Sequence, residues 1–314
     1  MATQPTTEPL PHGYHLGEYV IDRRIGGGGF SLVYLAFDQA GQPVAIKEYL
    51  PGGVVKRGEA GTVHPLSSDK QASFRYGMKC FFEEGRSLAG IRHPNVVKVL
   101  NFFRANDTVY MVMKYEQGKT LQKHITSLQE PMRESFIRGV FIQLLNGLRE
   151  VHAHKILHLD IKPSNIYIRS DGSPVLIDFG AARQALTEDL LVASPMYTPG
   201  FAAPEQYSER DRLGPWTDIY SVGATIYACM AKAPPPPANE RKDKDKLIPV
   251  SKTYVGVYSK AMLDMVDSML RLNYTERPQS VFTVQKRLIA MAQAARSQKP
   301  TLFNLIKERL TREL

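Results

Sequence analysis

The chain has 314 residues, 43% hydrophobic and 23% charged, an ordinary composition for globular protein with a sizeable core. The net charge of +9 arises from scattered Lys and Arg, a pattern that does not favour nucleic-acid binding. Cys80 and Cys229 lie too far apart in the sequence to suggest a disulfide framework or a metal site, no apolar run is long enough for a membrane span, and the N-terminus does not resemble a secretory signal. We therefore expect a cytoplasmic protein.

The first part of the chain has the pattern of a β structure. Residues 1–18 are rich in Pro and Thr and are expected to form a flexible lead-in. From Tyr19, β-branched and aromatic runs bounded by turn residues predict consecutive antiparallel strands. Residues 51–72 lack a clear period and predict an insertion or long loop, and a helix follows over about 74–91. Two further strands are predicted before residue 116.

After Gly118 the pattern becomes helical. Apolar residues at i, i+3, i+4 and i+7 predict a long buried helix over 134–155, and further helices are predicted between about 218 and 297. The proline run and charged stretch at 234–246 predict a solvated loop, with a polyproline docking site as the alternative. The order indicates a mostly β part and a mostly α part, joined by a connector at 114–119.

Four consecutive glycines, Gly26 to Gly29, lie between two predicted strands. Glycines allow backbone N–H groups to approach phosphate oxygens closely, because no Cβ intervenes. A dinucleotide-binding turn passes into a helix, whereas a strand is predicted here. The cluster favours a glycine-rich flap over a nucleotide, with an ordinary hairpin turn as the alternative.

Lys47 ends the apolar run Val-Ala-Ile-Lys. An ammonium group among apolar residues needs a counter-charge, because burying it unpaired is costly. The phosphates of ATP together with a carboxylate would supply that charge. A surface lysine at a strand end is the alternative.

A carboxylate, a cation and an amide fall within one short loop, at Asp160, Lys162 and Asn165. Such a carboxylate can orient a hydroxyl and accept its proton, while the lysine attracts a phosphate and the amide oxygen suits a metal. Asp178, before Phe179 and a glycine, follows an apolar strand and is a plausible Mg²⁺ ligand, with an ordinary turn aspartate as the alternative.

Taken in order, these motifs resemble the signatures of the protein kinase family over residues 19 to about 290. The resemblance implies an α+β, bilobal fold with a small, mainly β N-lobe and a larger, mainly α C-lobe. The implied divisions are the lead-in at 1–18, the N-lobe at 19–113, the hinge at 114–119, the C-lobe at 120–292 and an amphipathic C-terminal extension at 293–314.

The resemblance also implies roles for individual residues. Asp160 would be the catalytic base and Lys162 the γ-phosphate contact, while Asn165 and Asp178 would hold Mg²⁺ or Mn²⁺. Thr198 would lie beside the base. The implied ATP-binding residues are Ile25, Gly26, Gly27, Gly28, Gly29, Ser31, Val33, Ala45, Lys47, Met113, Lys114 and Tyr115.

Further residues complete the implied framework. Lys47 would pair with Glu84, with Glu83 as the alternative. Glu205, in an Ala-Pro-Glu segment, would pair with Arg277 to hold the C-lobe together. Asp218 would brace the catalytic loop.

The combination of Lys162 and Thr198 is typical of the serine/threonine class of kinases. Several sequence segments are similar to those of bacterial serine/threonine kinases. The expected partners are ATP and proteins with Ser or Thr hydroxyls, with autophosphorylation as a further reaction. The alternatives are an ATP-binding scaffold of the pseudokinase type and a small-molecule phosphotransferase.

Three positions depart from the family pattern. Ser31 replaces a loop glycine, and Tyr167 replaces the aliphatic residue expected beneath adenine. Leu159 replaces the arginine that normally meets a phosphorylated activation loop, so we expect activity that does not require loop phosphorylation. The amphipathic C-terminal segment is expected to dock on its own lobe, with a partner-binding or regulatory helix as the alternative.

Overall fold

The computed structural model describes residues 8–179, 197–208 and 210–297. Its N-terminal lobe is built on a six-stranded antiparallel sheet in the order β1-β2-β3-β4-β8-β7, with a separate hairpin of β5 and β6. The strands are β1 (His15–Leu16), β2 (Tyr19–Gly28), β3 (Ser31–Phe37), β4 (Pro43–Tyr49), β5 (Val55–Arg57), β6 (Val63–Pro65), β7 (Val99–Ala105) and β8 (Thr108–Lys114).

One long helix, α1 (Gln71–Ala89), packs on β7 and β8. Phe74, Phe81 and Leu88 lie seven residues apart on one face of the helix. All three are buried, so this face packs against the sheet. Packing of this helix on the sheet fixes where the polar residues between those apolar ones point.

The lead-in differs from the prediction. Residues 1–7 lie outside the described residues, but from Glu8 onward the chain packs on the lobe, and the prediction of a flexible segment up to residue 18 is wrong there. Leu10 and Leu16 are only 3% and 1% exposed. The backbone N–H of Leu10 donates to the hydroxyl of Tyr34 at 3.1 Å. Two isolated leucines among prolines gave no periodic signal.

The insertion also differs from the prediction. The long loop predicted at 51–72 contains the β5–β6 hairpin, whose ladder pairs Val55 with Pro65 and Arg57 with Val63. The strands are too short to display an alternating pattern, so they were not visible in the sequence.

The C-terminal lobe is helical, with one small sheet in the order β11-β10-β9. Its strands are β9 (Gly118–Thr120), β10 (Ile166–Arg169) and β11 (Pro174–Leu176), and its helices are α2 (Leu121–Ser127), α3 (Glu134–Ala153), α4 (Pro204–Ser208), α5 (Pro215–Ala231), α6 (Ala238–Asp243), α7 (Val250–Thr253), α8 (Lys260–Met269) and α9 (Val281–Ser297). Short 3-10 turns occur at Glu59–Gly61, Ser68–Lys70, Pro163–Asn165, Arg210–Arg212 and Tyr274–Glu276.

The core of this lobe forms around α3 and α5. The predicted helical period in α3 is confirmed, because Ile137, Phe141, Leu144 and Leu148 are fully buried. α5 is buried on nearly all sides. Two such helices give the loops at their ends a rigid base, and the expected bilobal α+β architecture is confirmed.

The proline run is not wholly solvated. Pro235 is buried, and its carbonyl lies 2.6 Å from where a Cβ on Gly200 would stand. Gly200 has a φ of +85°, so both sterics and backbone conformation require glycine there. The prediction of a solvated loop at 234–246 is therefore wrong at Pro235, and it is wrong over Ala238–Asp243, which forms α6 with Ala238 and Arg241 buried.

The C-terminal helix α9 continues past residue 292 to Ser297, and residues 298–314, which carry the predicted amphipathic extension, lie outside the described residues. Across the described ranges, no helix combines the length and the apolar character needed to cross a bilayer.

Candidate active site

A cavity of about 380 Å³ lies between the two lobes, within the usual size range of ligand pockets. Its roof is the glycine-rich turn, its back is the end of β4 and β8, and its floor comes from the C-lobe. All the predicted ATP-binding residues line it except Gly29. The carbonyl of Gly29 instead accepts a hydrogen bond from the backbone N–H of Gly52 at 2.7 Å.

The glycine-rich turn is a hairpin between β2 and β3 whose ladder ends at Gly28 and Ser31. Gly27 has a φ of +142°, and a Cβ there would come within 2.7 Å of the carbonyl oxygen of Ser31. Only glycine fits this position without strain. The flap and the ordinary hairpin, two alternatives from the sequence, are therefore one structure that lines a cavity.

Lys47 lies at the back of the cavity, with its side chain 9% exposed. Its Nζ lies 2.6 Å from Oδ1 of Asp178 and 3.6 Å from Oε1 of Glu84. Glu83 is 54% exposed on the outer face of α1 and pairs with Arg86, so Glu84 is the glutamate that reaches the lysine. The alternative of a solvated surface lysine does not describe this buried ammonium, which two carboxylates from different lobes stabilise.

Asp160 is almost buried and does not itself line the cavity, but two of its partners, Lys162 and Asn165, do. Nζ of Lys162 donates to its two carboxylate oxygens at 2.8 and 3.1 Å. The hydroxyl of Thr198 donates to Oδ1 at 2.9 Å and accepts from Lys162 at 2.8 Å. Nδ2 of Asn165 donates to Oδ2 at 3.0 Å. These donors fix the orientation of the carboxylate.

The residues expected to bind a divalent metal fit that purpose. Nδ2 of Asn165 is engaged by Asp160, which turns the amide oxygen away from that carboxylate. Asp178 has a φ of +60° and comes two residues after β11, so its carboxylate projects into the same cavity. An amide oxygen and a carboxylate are the hard oxygen ligands that Mg²⁺ and Mn²⁺ prefer. Among the described residues, no group of three or more His, Cys, Asp or Glu forms a separate metal cluster.

Asp218, at the start of α5, bonds the backbone of the loop that carries Asp160. Its carboxylate accepts the backbone N–H groups of His158 and Leu159 at 2.9 and 2.8 Å and a bond from His152 at 2.8 Å. Burial by itself raises the pKa of Asp218, but the bonds from His152 and His158 outweigh it and hold the pKa below its usual value.

His158 is fully buried between the loop and the strand before Asp178. Its Nδ1 accepts the backbone N–H of Asp160 at 3.3 Å, and its Nε2 lies 3.2 Å from the carbonyl of Ile177, so the neutral ring satisfies both partners. Burial lowers the pKa of His158. Its ring packs on Phe179 with centroids 4.3 Å apart.

The Glu205–Arg277 pair lies in the C-lobe core, where both residues are at most 3% exposed. Two parallel bonds of 2.8 and 2.9 Å join the guanidinium to the carboxylate. Thr217 donates to the same carboxylate at 2.8 Å. The pair connects α4 to the segment before α9, as the sequence predicts for these residues.

Sequence reasoning missed the contacts that fasten the hinge. Glu116 lines the cavity and accepts two bonds from the guanidinium of Arg169 on β10, at 2.8 and 2.9 Å. The hydroxyl of Tyr167 donates to the carbonyl of Gly118 at 2.9 Å. Opposite charges 53 positions apart carry no local pattern, and only the pairing of β9 with β10 brings them together.

Leu159 has a φ of +63°, and its backbone is held on both sides. Asp218 accepts its N–H, and Nε2 of Gln206 donates to its carbonyl at 2.9 Å. Gln206 in turn accepts the N–H of Ala203. Gly180, which follows Asp178 and Phe179, lies outside the described residues, as do Thr187 and Ser194, two hydroxyl residues of the segment that the family resemblance identifies as the activation loop.

Comparison with known proteins adds a family match. The model of the protein kinase domain matches residues 19–289. The chain is 28% identical over 227 residues to the carbon catabolite-derepressing protein kinase of Saccharomyces cerevisiae, and 31% identical over 228 residues to CBL-interacting protein kinase 4 of Oryza sativa subsp. japonica. These alignments cover 72% and 71% of this chain but only 32% and 45% of the relatives. The chain thus spans less than half the length of these curated relatives.

Two solved structures are similar. The apo form of PpkA-294 has a TM-score of 0.82 and 35% sequence identity, covering 89% of this chain and 99% of that one. The kinase domain of PknI from M. tuberculosis has a TM-score of 0.66 and 18% identity, covering 91% of this chain and all of that one. The second likeness shows the fold alone.

Proposed function

Since the chain belongs to the protein kinase family, we propose that it is a serine/threonine protein kinase that transfers the γ-phosphate of ATP to hydroxyls of protein substrates. The observation that carries the proposal is the cluster of donors around Asp160, of which Lys162 and Asn165 line the cavity between the lobes. Retention of Lys47, Asp160, Asn165 and Asp178 argues against a scaffold that only binds ATP.

ATP enters the cavity with its adenine toward the hinge and its phosphates beneath the glycine-rich turn. Met113, Lys114 and Tyr115 line the hinge side, where backbone groups bind the base. Lys47 moves from its close contact with Asp178 to the α- and β-phosphates, while Glu84 keeps the ammonium oriented. The glycines supply the backbone N–H groups that approach the phosphate oxygens.

Asp160 accepts the hydrogen bond of the incoming serine or threonine hydroxyl and receives its proton as the phosphoryl group is transferred. Lys162 lies within bonding distance of Asp160 and stabilises the negative charge of the γ-phosphate. Thr198 bonds both residues and fixes their relative positions. A divalent cation, held by Asn165 and Asp178, supplies charge neutralisation at the phosphates when bound.

The test compares transfer of radiolabelled phosphate by the wild type and by Asp160→Asn, a variant that keeps the shape of the side chain but removes its basicity. We expect kcat to fall by about 10²–10⁴-fold, the usual worth of a positioned general base. Lys47→Met should lose transfer as well. Lys260→Met, in an exposed pair on α8, is the matched control and should behave as the wild type.

Mass spectrometry of the products identifies the modified residues. Phosphoserine and phosphothreonine on protein substrates, and on the enzyme itself, are expected. Full activity in Asp160→Asn would overturn the proposed base. An enzyme that binds ATP but transfers nothing would indicate a scaffold, and phosphate found only on small molecules would indicate the other alternative.

We also propose that activity does not depend on phosphorylation of the activation loop, because Leu159 has no charge to bind a phosphate. The backbone of Leu159 is held by the carboxylate of Asp218 and the amide of Gln206, two contacts that need no loop phosphate. A Thr187→Ala/Ser194→Ala/Tyr197→Phe variant should retain kcat within about twofold, since no phosphate-dependent ordering contact is removed. Loss of activity in a folded variant would contradict this proposal, provided that the peptide KM is unchanged.

Family membership also supports a proposal for the cellular location and the cofactor of this domain. We propose a cytoplasmic domain of bacterial signalling with Mg²⁺ or Mn²⁺ as the cofactor. The lobes divide at the hinge of residues 114–119. Residues from Glu8 onward pack on the N-lobe of 19–113, and the C-lobe of 120–292 extends to the end of α9 at Ser297.

A further inference from the structure

A short segment after β4 contacts the glycine-rich turn directly. The N–H of Leu50 donates to the carbonyl of Phe30 at 2.8 Å, and that of Gly52 donates to the carbonyl of Gly29 at 2.7 Å. These bonds continue the β3–β4 ladder beyond its last pair, Ser31 with Tyr49. The tip of the turn is therefore held by residues 50–66, which we call the strap.

A buried ion pair joins the strap to the end of β4. Arg57, on β5, donates to the two carboxylate oxygens of Glu48 at 3.0 and 2.6 Å. The Glu48 carboxylate is completely buried and also accepts the hydroxyls of Tyr34 and Tyr110, each at 2.7 Å. Glu48 directly follows Lys47, so the residue after the phosphate-binding lysine anchors the strap.

The guanidinium of Arg57 has further partners. It donates to the carbonyl of Gly61 in the hairpin at 2.9 Å and to that of Glu8 in the N-terminal segment at 2.7 Å. It also donates to the hydroxyl of Tyr34 on β3 at 3.4 Å, so Arg57 joins the strap to Glu48, to the central sheet and to the N-terminal segment. Burial lowers the pKa of Arg57, but the bonds to Glu48 outweigh this and raise the pKa, so the guanidinium is charged at every working pH.

The strap then leads into α1, the helix that carries Glu84. The N–H of Leu66 donates to the carbonyl of Val54 at 2.9 Å, and Nζ of Lys70 donates to the carbonyl of Gly53 at 2.5 Å. α1 begins at the next residue, Gln71. One segment thus contacts the glycine-rich turn at one end, the lysine strand in its middle and the glutamate helix at its other end.

We propose that Arg57 and Glu48 are positioning residues for ATP: their ion pair latches the strap, and the strap holds the glycine-rich turn above the nucleotide. Neither residue lines the cavity. They act through the carbonyls of Gly29 and Phe30, whose bonds fix the height of the turn. This inference rests on the proposed nucleotide site.

The experiment measures binding of Mg-ADP by calorimetry, so that it does not depend on phosphate transfer. Arg57→Met should raise the Kd of the folded protein about tenfold, because an unlatched turn must be ordered on binding. Arg57→Lys keeps the charge but loses the bidentate hydrogen bonds, so its Kd for ADP should lie between those of the wild type and Arg57→Met. Hydrogen exchange at the amides of residues 29–33 should become faster in Arg57→Met, while exchange in α5 stays unchanged.

Two further variants separate positioning from stability. Glu48→Gln/Arg57→Met removes both charges and leaves no buried ion unpaired. If Arg57→Met does not fold, the Kd of ADP and the hydrogen exchange at residues 29–33 are measured in this double variant instead. Arg241→Met is the matched control, since the Arg241 side chain is 4% exposed against 9% for Arg57 and makes bidentate bonds to Asp245 in the C-lobe. It should lower thermal stability without changing the Kd of ADP.

The outcomes are distinct for the two proposals. A folded Arg57→Met or double variant with the Kd and loop exchange of the wild type would overturn the positioning role, whatever its melting temperature. Wild-type protein that binds ADP with the expected dependence on Arg57 but transfers no phosphate would contradict the proposed function and leave the strap standing. Wild-type protein that fails to bind ADP would overturn both.

Discussion

At the scale of single residues, the candidate site depends on hydrogen bonds that reach one carboxylate from three directions. The carboxylate of Asp160 accepts hydrogen bonds of 3.1 Å or less from Lys162, Asn165 and Thr198. Such a cluster costs conformational freedom to assemble, and its value lies in a carboxylate that is already oriented when the substrate arrives.

Removal of the Thr198 hydroxyl should weaken catalysis without removing the base. Thr198→Val loses the bond to Asp160 and the bond from Lys162, so we expect kcat to fall about tenfold, the equivalent of one buried hydrogen bond. Steady-state kinetics with a serine peptide measure it. Thr198→Ser keeps the hydroxyl and should recover most of the rate; a wild-type kcat in Thr198→Val would contradict the role of the hydroxyl.

Acid should destabilise the fold through His158. Burial lowers its pKa, so between the ordinary value of about 6.5 and the lower folded value the unfolded chain binds more protons than the folded one. The contribution of the neutral ring is fully present above about pH 6.5 and is lost as the pH falls toward the folded pKa. Urea unfolding of the wild type and His158→Phe between pH 7 and 5 measures the free energy of unfolding, and we expect a shallower pH slope in the variant.

Other groups titrate nearby, so the comparison uses slopes rather than absolute stabilities. Burial also lowers the pKa values of His93 and His124, which contribute with the same sign in both proteins. The lowered pKa of Asp218 acts in a separate window, because its contribution is present above about pH 4 and is lost only below that. Identical slopes in wild type and His158→Phe would contradict the assignment.

At the scale of elements, the C-lobe depends on buried polar links between helices that are distant in sequence. Glu205 opens α4, Thr217 lies in the first turn of α5, and Arg277 precedes α9. All three meet at one carboxylate. Apolar packing alone would hold α5 in place, but it would not fix the loop before α4, which carries Thr198.

Breaking the Glu205–Arg277 pair should strongly destabilise the fold. Glu205→Gln leaves the guanidinium of Arg277 buried without its full counter-charge, so we expect the free energy of unfolding to fall by about 3–5 kcal/mol. Guanidinium denaturation followed by circular dichroism measures it. Lys260→Gln disrupts an exposed pair and should leave the midpoint nearly unchanged. A small effect in Glu205→Gln would indicate that the pair is replaceable.

At the scale of the whole molecule, the two lobes meet at a cleft and are fastened on two sides. Lys47 of the N-lobe contacts Asp178 of the C-lobe inside the cleft. On the other side, the hinge is fastened to β10 through the pair of Glu116 with Arg169. The shape of the nucleotide cavity follows from both contacts.

Loosening the hinge side should weaken nucleotide binding more than catalysis. Arg169→Met removes both bonds to Glu116, and we expect the KM for ATP to rise about threefold to tenfold, because the half-buried pair is worth on the order of 1 kcal/mol. The kcat and the peptide KM should change little. Steady-state kinetics at varied ATP measure this split, and a fall in kcat with an unchanged ATP KM would contradict it.

The sequence by itself determined the family and the two-part organisation, and it predicted the residues that we propose carry the chemistry. Asp160, Lys162 and Asn165 fall within a few residues of one another, so local spacing alone predicts a shared site. Long periodic helices such as α3 were equally predictable, because a repeating apolar pattern appears in the sequence itself.

Only the tertiary structure decided which distant groups meet. The choice of Glu84 over Glu83 depends on the rotation of α1 against the sheet, which the packing of Phe81 and Leu88 sets. The burial of Leu10 and the pairing of Glu48 with Arg57 likewise appear only when the sheet brings separate segments together. Composition and charge specified the kind of protein, while long-range packing specified how its site is held, because contacts between residues far apart in sequence leave no local pattern to read.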